Sequence, residues 1–181
     1  MPKMLTDASR KLVWVPTLED YTSPTAIELN GGLDISCLVT AANFTLGSTG
    51  DDAIADPALC ATSNASTPGR TNFEGAMDFF RWTETEEDTA WATFNAKGLH
   101  GYLVQRIGQV DPGVKAHTVD FTEGDEVQVY EALTNTPQIM TPADAGYEKF
   151  RQVFSIQENV DERAVVDERA VVDERAVVAG V

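Results

Sequence analysis

Thiol and imidazole chemistry is almost missing from this chain: its 181 residues include two cysteines, Cys37 and Cys60, and two histidines, His100 and His117. Neither histidine stands at a metal-ligand spacing to the other or to a cysteine, so a zinc site would need convergence of four distant positions. Basic residues are scarce as well. Thirteen Lys and Arg against 29 Asp and Glu leave a net charge of -16, which argues against electrostatically driven binding to nucleic acid or an anionic membrane. Long hydrophobic runs are also lacking. The opening MPKMLTDASRKL has no apolar signal-peptide core, and no run approaches a membrane span. The chain is therefore expected to be made and kept in a cytoplasm, with its cysteines reduced and buried and a disulfide as the lesser reading. Asn43-Phe44-Thr45 and Asn64-Ala65-Ser66 match the glycosylation pattern, which carries no meaning without secretion.

Nor is there a catalytic signature. Ser23, Ser36 and Ser48 lack a nucleophile-elbow context, and Gly31-Gly32 heads no phosphate-binding loop. Asp51-Asp52 reads as solvated turn residues sooner than as a catalytic carboxylate pair. The expectation is a protein that is not an enzyme and that holds no cofactor or metal.

What is present is strand pattern. Residues 11–15 are apolar enough for a first strand, ended by Pro16. Ser23-Pro24-Thr25 offers a capping residue and an early proline for one helical turn over 26–29, and Gly31-Gly32 stops it. Leu33, Ile35, Cys37 and Val39 alternate with polar residues in a second strand, and residues 44–46 form a short third. In 71–81, Phe73, Gly75, Met77 and Phe79 face one way while Asn72, Glu74 and Asp78 face the other, as in a strand with one buried side. Between these strands lies a long polar stretch, 47–70, carrying the apolar island Asp56-Pro57-Ala58-Leu59-Cys60. Connections this long in a compact domain are functional or disordered.

One helix is predicted over about 83–97, with Thr83 and Glu86 as a capping box and Glu84, Glu86, Glu87 and Asp88 at the positive end of its dipole. A calcium loop is the weaker reading of that acidic cluster, since its spacing matches none. Ala90, Trp91 and Phe94 form the apolar stripe, so Trp91 and Phe94 should pack on the sheet, and Gly98 ends the helix. Further strands are predicted at 99–107, 115–121 and 127–132. In a closing strand Phe150, Phe154 and Ile156 share a face. Together these predict a mainly β domain over residues 1–160, a β-sandwich or squashed barrel with one helix laid across it. Residues 161–181 then hold the hexad DERAVV three times in tandem. Six is not a heptad multiple, so no coiled-coil seam fits, and an exposed flexible terminus is expected.

The order NFTLG, acidic turn, DPALC, TPGR and NFEG, with SPTAIELNGGLDISCLV upstream, resembles the major tail proteins of long-tailed, siphovirus-type phages of actinobacteria. The resemblance runs from about Thr17 to Ile156; the triple hexad departs from it. It implies a virion subunit whose six-membered rings stack into a tube through long loops, around a channel that carries DNA. The implied partners are other copies of the chain, a tape measure protein during assembly and DNA in transit. The implied locations are the virion tail and, during assembly, the host cytoplasm. On this reading Asp51, Asp52, Pro57, Leu59 and Arg70 make inter-ring contacts, and Asn72, Glu74 and Asp78 are the candidate lumen face. A tail terminator or a capsid decoration protein is the alternative.

Overall fold

The structure, a computed structural model, describes residues 3–141 and 146–167. Eight antiparallel strands form one sheet: β1 (Arg10–Val15), β2 (Leu33–Asp34), β3 (Thr45–Ile54), β4 (Thr67–Phe80), β5 (His100–Ile107), β6 (Glu126–Thr134), β7 (Gln138–Ile139) and β8 (Lys149–Val165). Their order is β2-β1-β5-β6-β8-β4-β3, with β7 paired to β8 off this path. The ladder is not closed. Its two ends are instead joined by the chain between β2 and β3. Ile35 N–H donates to the Leu12 carbonyl at one end, and Thr40 N–H donates to the Asp78 carbonyl at the other. The mainly β expectation therefore holds, as an open, sandwich-like sheet whose two ends are bridged by residues 35–44.

The near-continuous apolar run of β1 is explained by burial on both faces. Leu12 and Trp14 enter one cluster with Met77, Phe79, Phe94, Leu103, Phe150 and Phe154. Val13 and Val15 enter the other with Leu29, Val104, Phe121, Val129, Ala164 and Val166. The first cluster is aromatic, with Trp14 edge-on to Phe94 at 5.3 Å and Phe79 stacked on Phe150 at 5.3 Å between centroids. Such pairs contribute about 0.5–1.5 kcal/mol each beyond their buried area.

Two short helices cover these faces. In α1 (Ala26–Asn30) the cap is Thr25: its hydroxyl accepts from Glu28 N–H, and the Glu28 carboxylate accepts from Thr25 N–H in return. The second helix is shorter than predicted. α2 spans Thr89–Phe94, and no Thr83 cap forms. Residues 84–88 make a turn instead, in which the Glu84 carbonyl accepts from Glu87 and Asp88. Asp88, at the N-cap, turns its carboxylate to Arg81 Nε at 2.8 Å and caps nothing. Exposed Glu84, Glu86 and Glu87 have no surface to pack on, so the helix extends only as far as the sheet holds it. Phe94 is buried, and half-buried Trp91 stands edge-on to Phe150 with the Arg81 guanidinium 4.2 Å from its ring centroid.

Four further expectations change. The second strand stops at Asp34, because Ser36 turns to exchange hydrogen bonds with Leu12 N–H and C=O. Cys37, on that turn, and Cys60 are exposed and free, not buried. In place of a strand at 115–121 there is one 3-10 turn, Ala116–Thr118. This segment wraps the Arg106 guanidinium, which is 1% exposed and donates to the carbonyls of Ala116, Val119 and Asp120 and to Asp125 Oδ2 at 2.6 Å. The first hexad belongs to the domain: β8 runs through Val165, pairs Ala164 with Val127 of β6, and buries Ala164 and Val166. Asp167 opens the second copy, its N–H donating to the Pro24 carbonyl. The rest of the second and third copies lies outside the described residues.

Candidate assembly surface

Most of the polar stretch 47–70 is strand. β3 and β4 pair from Thr45↔Ala76 to Ile54↔Thr67, leaving 55–66 as the connection. Period-two hydrophobicity could not reveal these outer halves, since neither face is buried and only backbone pairing holds them. Every residue from Ser48 to Ser66 is exposed. Side chains lace the two strands: Thr71 Oγ1 donates to Asp51 Oδ1 at 2.6 Å, and Asn72 Nδ2 to Asp52 Oδ1 at 2.8 Å. The ladder shifts register between Ser48 and Gly50 and again between Asp51 and Ala53. Gly50 supplies the positive φ of 134° that the first of these irregularities requires.

The hairpin is an arm. β4 pairs with β8 only from Gly75↔Phe154 to Phe80↔Lys149. Beyond Gly75 the two strands part, and β8 continues alone along β6. Residues 49–54 of β3, all exposed, span about 20 Å along the strand at 3.3 Å per residue. At the base of the arm Phe73 packs 6.3 Å from the Tyr130 ring, and Tyr130 Oη donates to Glu162 at 3.1 Å. Burial, together with the Glu162 charge, pushes the Tyr130 hydroxyl above its ordinary value.

The expected site residues fall into three places. Asp51, Asp52 and Arg70 lie on the strands of the arm, and Pro57 and Leu59 on its tip, all exposed. Asn72 and Glu74 are exposed on β4, while Asp78 of the same alternation is buried at 1% exposure. Its carboxylate accepts from Arg151 Nη1 at 2.9 Å and from Asn43 Nδ2 at 3.1 Å. Solvent therefore meets Asn72 and Glu74 but not Asp78. Phe94 is buried in the aromatic cluster, and half-buried Trp91 packs against it. Among the described residues, no group of three or more His, Cys, Asp or Glu side chains is placed to hold a metal ion.

Sequence reasoning missed a cavity of 480 Å³ between β1 and the chain joining β2 to β3, lined by Arg10, Leu12, Ser36, Val39, Phe44 and Gln105 among others. The signal for it was slight: one arginine at the head of an apolar strand in an acidic chain.

The sheet is open, and its outermost pair of strands extends as an exposed hairpin with no further strand beside β3 among the described residues. The phage tail tube protein family matches residues 1–168, and the chain belongs to that family. It is thus a structural subunit of the virion tail that self-assembles into a tube. No curated protein matches the chain.

Proposed function

We propose that six copies form a ring, and that rings stack into the tube of a siphovirus-type phage tail through the β3–β4 arm. The observation that carries this reading is the arm itself: two paired strands wet on both faces, ending in an exposed apolar tip at Pro57 and Leu59. A solvated hairpin of this length gains little within one subunit, and an exposed strand edge beside an apolar tip suits a neighbour. Asp51, Asp52 and Arg70 flank that contact. Asn72 and Glu74 are the candidate channel wall, where an acidic surface lets DNA pass without holding it, because basic contacts to phosphates would strengthen non-specific binding. A tape measure protein occupies the channel during assembly in the host cytoplasm, and DNA traverses it during ejection.

Negative-stain microscopy of purified protein at high concentration tests the reading. Hollow rods of uniform diameter are expected, and replacing residues 55–66 by a short Gly-Ser linker should leave a folded subunit that forms none. Monodisperse globules from the native chain, or normal rods from the replaced one, would overturn the tube or the stacking role respectively.

A further inference from the structure

Two unmatched surfaces lie far apart on the same chain. One is the cavity at the sheet seam, with Leu12, Val39 and Phe44 as its apolar wall. Arg10 stands at it, donating from Nη1 to Gln105 Oε1 at 3.1 Å and lying 5.8 Å from the Phe44 ring centroid. Among the described residues Arg10 makes no ion pair, in a chain with 29 acidic residues against 13 basic ones. The other surface is the tip of the arm, where Leu59 is 107% exposed and Asp56 stands three positions before it. The wall has apolar surface and an unspent positive charge. The tip has an apolar side chain and a negative charge at short spacing.

They cannot meet within one subunit. Phe44 belongs to the cavity, and β3 carries the chain from Thr45 to Ile54, roughly 30 Å away at 3.3 Å per residue. The five residues from Ile54 to Leu59 reach back at most about 17 Å when fully extended.

We propose that Leu59 of one copy seats in the seam cavity of a second copy, with Asp56 against its Arg10. The inference rests on the tube reading and names the surface that receives the arm. A tip and a receptor on different parts of one molecule make a heterologous contact, which either closes a ring or repeats openly from copy to copy; the open repeat is the form that stacking uses. It also sets two native thiols side by side. Cys60 follows Leu59, and Cys37 follows the cavity residue Ser36, so docking brings Cys60 of one copy near Cys37 of the next.

The full chain, as free subunits and as rods, is treated with a short bis-maleimide and run on denaturing gels. Rods should give a ladder of linked chains and free subunits none. Rods of Cys37→Ser or of Cys60→Ser should give no ladder, while rods mixed from the two should give dimers and nothing larger. In parallel, Arg10→Glu and Asp56→Arg should each cut rod yield at least tenfold with unchanged circular dichroism, and the two combined should restore it. If native rods form but show no Cys37–Cys60 linkage, and both charge variants polymerise normally, the docking is overturned and the tube reading stands. If the native chain forms no rods, the tube reading fails and takes this inference with it.

Discussion

Asp78 and Arg151 sit directly opposite each other in the β4–β8 ladder, and their side chains close a 2.9 Å ion pair, with Asp78 1% and Arg151 29% exposed. The acidic alternation of β4 is thus divided. Glu74 is left to the solvent, and Asp78 is drawn into the fold by a partner 73 residues away.

Asp78→Ala should therefore act on the subunit before it acts on any channel. It leaves the partly exposed Arg151 without its partner and removes the acceptor of Asn43, and losing such charged hydrogen bonds costs about 1.5–3 kcal/mol. Urea denaturation of the unassembled subunit should show a loss of that size, against less than about 0.5 kcal/mol for exposed Glu74→Ala. Equal and small losses would mean that the pair holds nothing. Glu74→Lys is then the clean probe of the lumen, since it changes charge without touching the core. Rods of that variant are expected to retain DNA at low salt, and unchanged DNA binding would remove this strand from the channel wall.

Gly101 is a second fixed point. A Cβ there would lie inside van der Waals contact with the Trp14 ring, on the strand beside it. Gly101→Ala should displace Trp14 from its packing on Phe94 and Phe154. Overpacking of this kind costs about 1–3 kcal/mol. A thermal melt should fall by several degrees, with a change in tryptophan fluorescence; a neutral result would show that the ring has room to shift.

A third prediction concerns pH. His100 Nε2 lies 2.6 Å from Glu131 Oε1, and Asn159 N–H donates to Glu131 Oε2 at 3.2 Å. The His100 hydrogen bond, with burial opposing it and the Asn159 bond adding to it, holds the Glu131 carboxyl below its ordinary value of 4.5. A depressed carboxyl contributes stability that is present above its unfolded value and lost as pH falls through the folded one. His100→Ala should cost about 0.5 kcal/mol at pH 6, the scale of an exposed pair. Native and variant stabilities should converge on acidification below the depressed value. A carboxyl titration by NMR should show Glu131 rising in the variant, and an unmoved titration would rule the contact out as its cause.

The legible and illegible parts of this fold divide along a physical line. Strands β1, β5 and β6, and the inner half of β4, could be read from sequence because the core imposes period two, or near-continuous apolarity, on them. The outer halves of β3 and β4 could not, since a wet hairpin is held by backbone bonds that leave no hydrophobic trace. Residues 115–121 misled because their conformation answers to Arg106, a buried cation on another strand. The length of α2 misled for a related reason: a good acidic first turn cannot sustain a helix where the sheet offers no surface beneath it. At the candidate surface the exposed tip was legible by composition. The cavity was not, because it is assembled from residues of β1, β5 and the chain joining β2 to β3.

The tandem hexad supplies the fourth prediction. Removing residues 167–178 leaves one copy to complete β8, with Ala179 following Val166 and offering a backbone N–H where Asp167 had one. The melting temperature should stay within about 2 °C. Removing all three copies, 161–178, takes Ala164 and Val166 from the core and should lower it by about 8 °C, from about 3 kcal/mol of lost burial. Equal melting temperatures for the two deletions would show that the first copy does not hold the sheet.

Because β8 ends in a sequence that exists in triplicate, the fold carries a spare for its own last strand. Six is even, so advancing the chain by one copy brings Ala170 and Val172 to the places of Ala164 and Val166 with every side chain on its original face. The displaced residues leave as a surface loop, and closing so short a loop adds a modest entropic cost. A lesion such as Ala164→Asp, severe in a chain with one hexad, should therefore be milder in the native chain, where an undamaged copy can be drawn in to replace it.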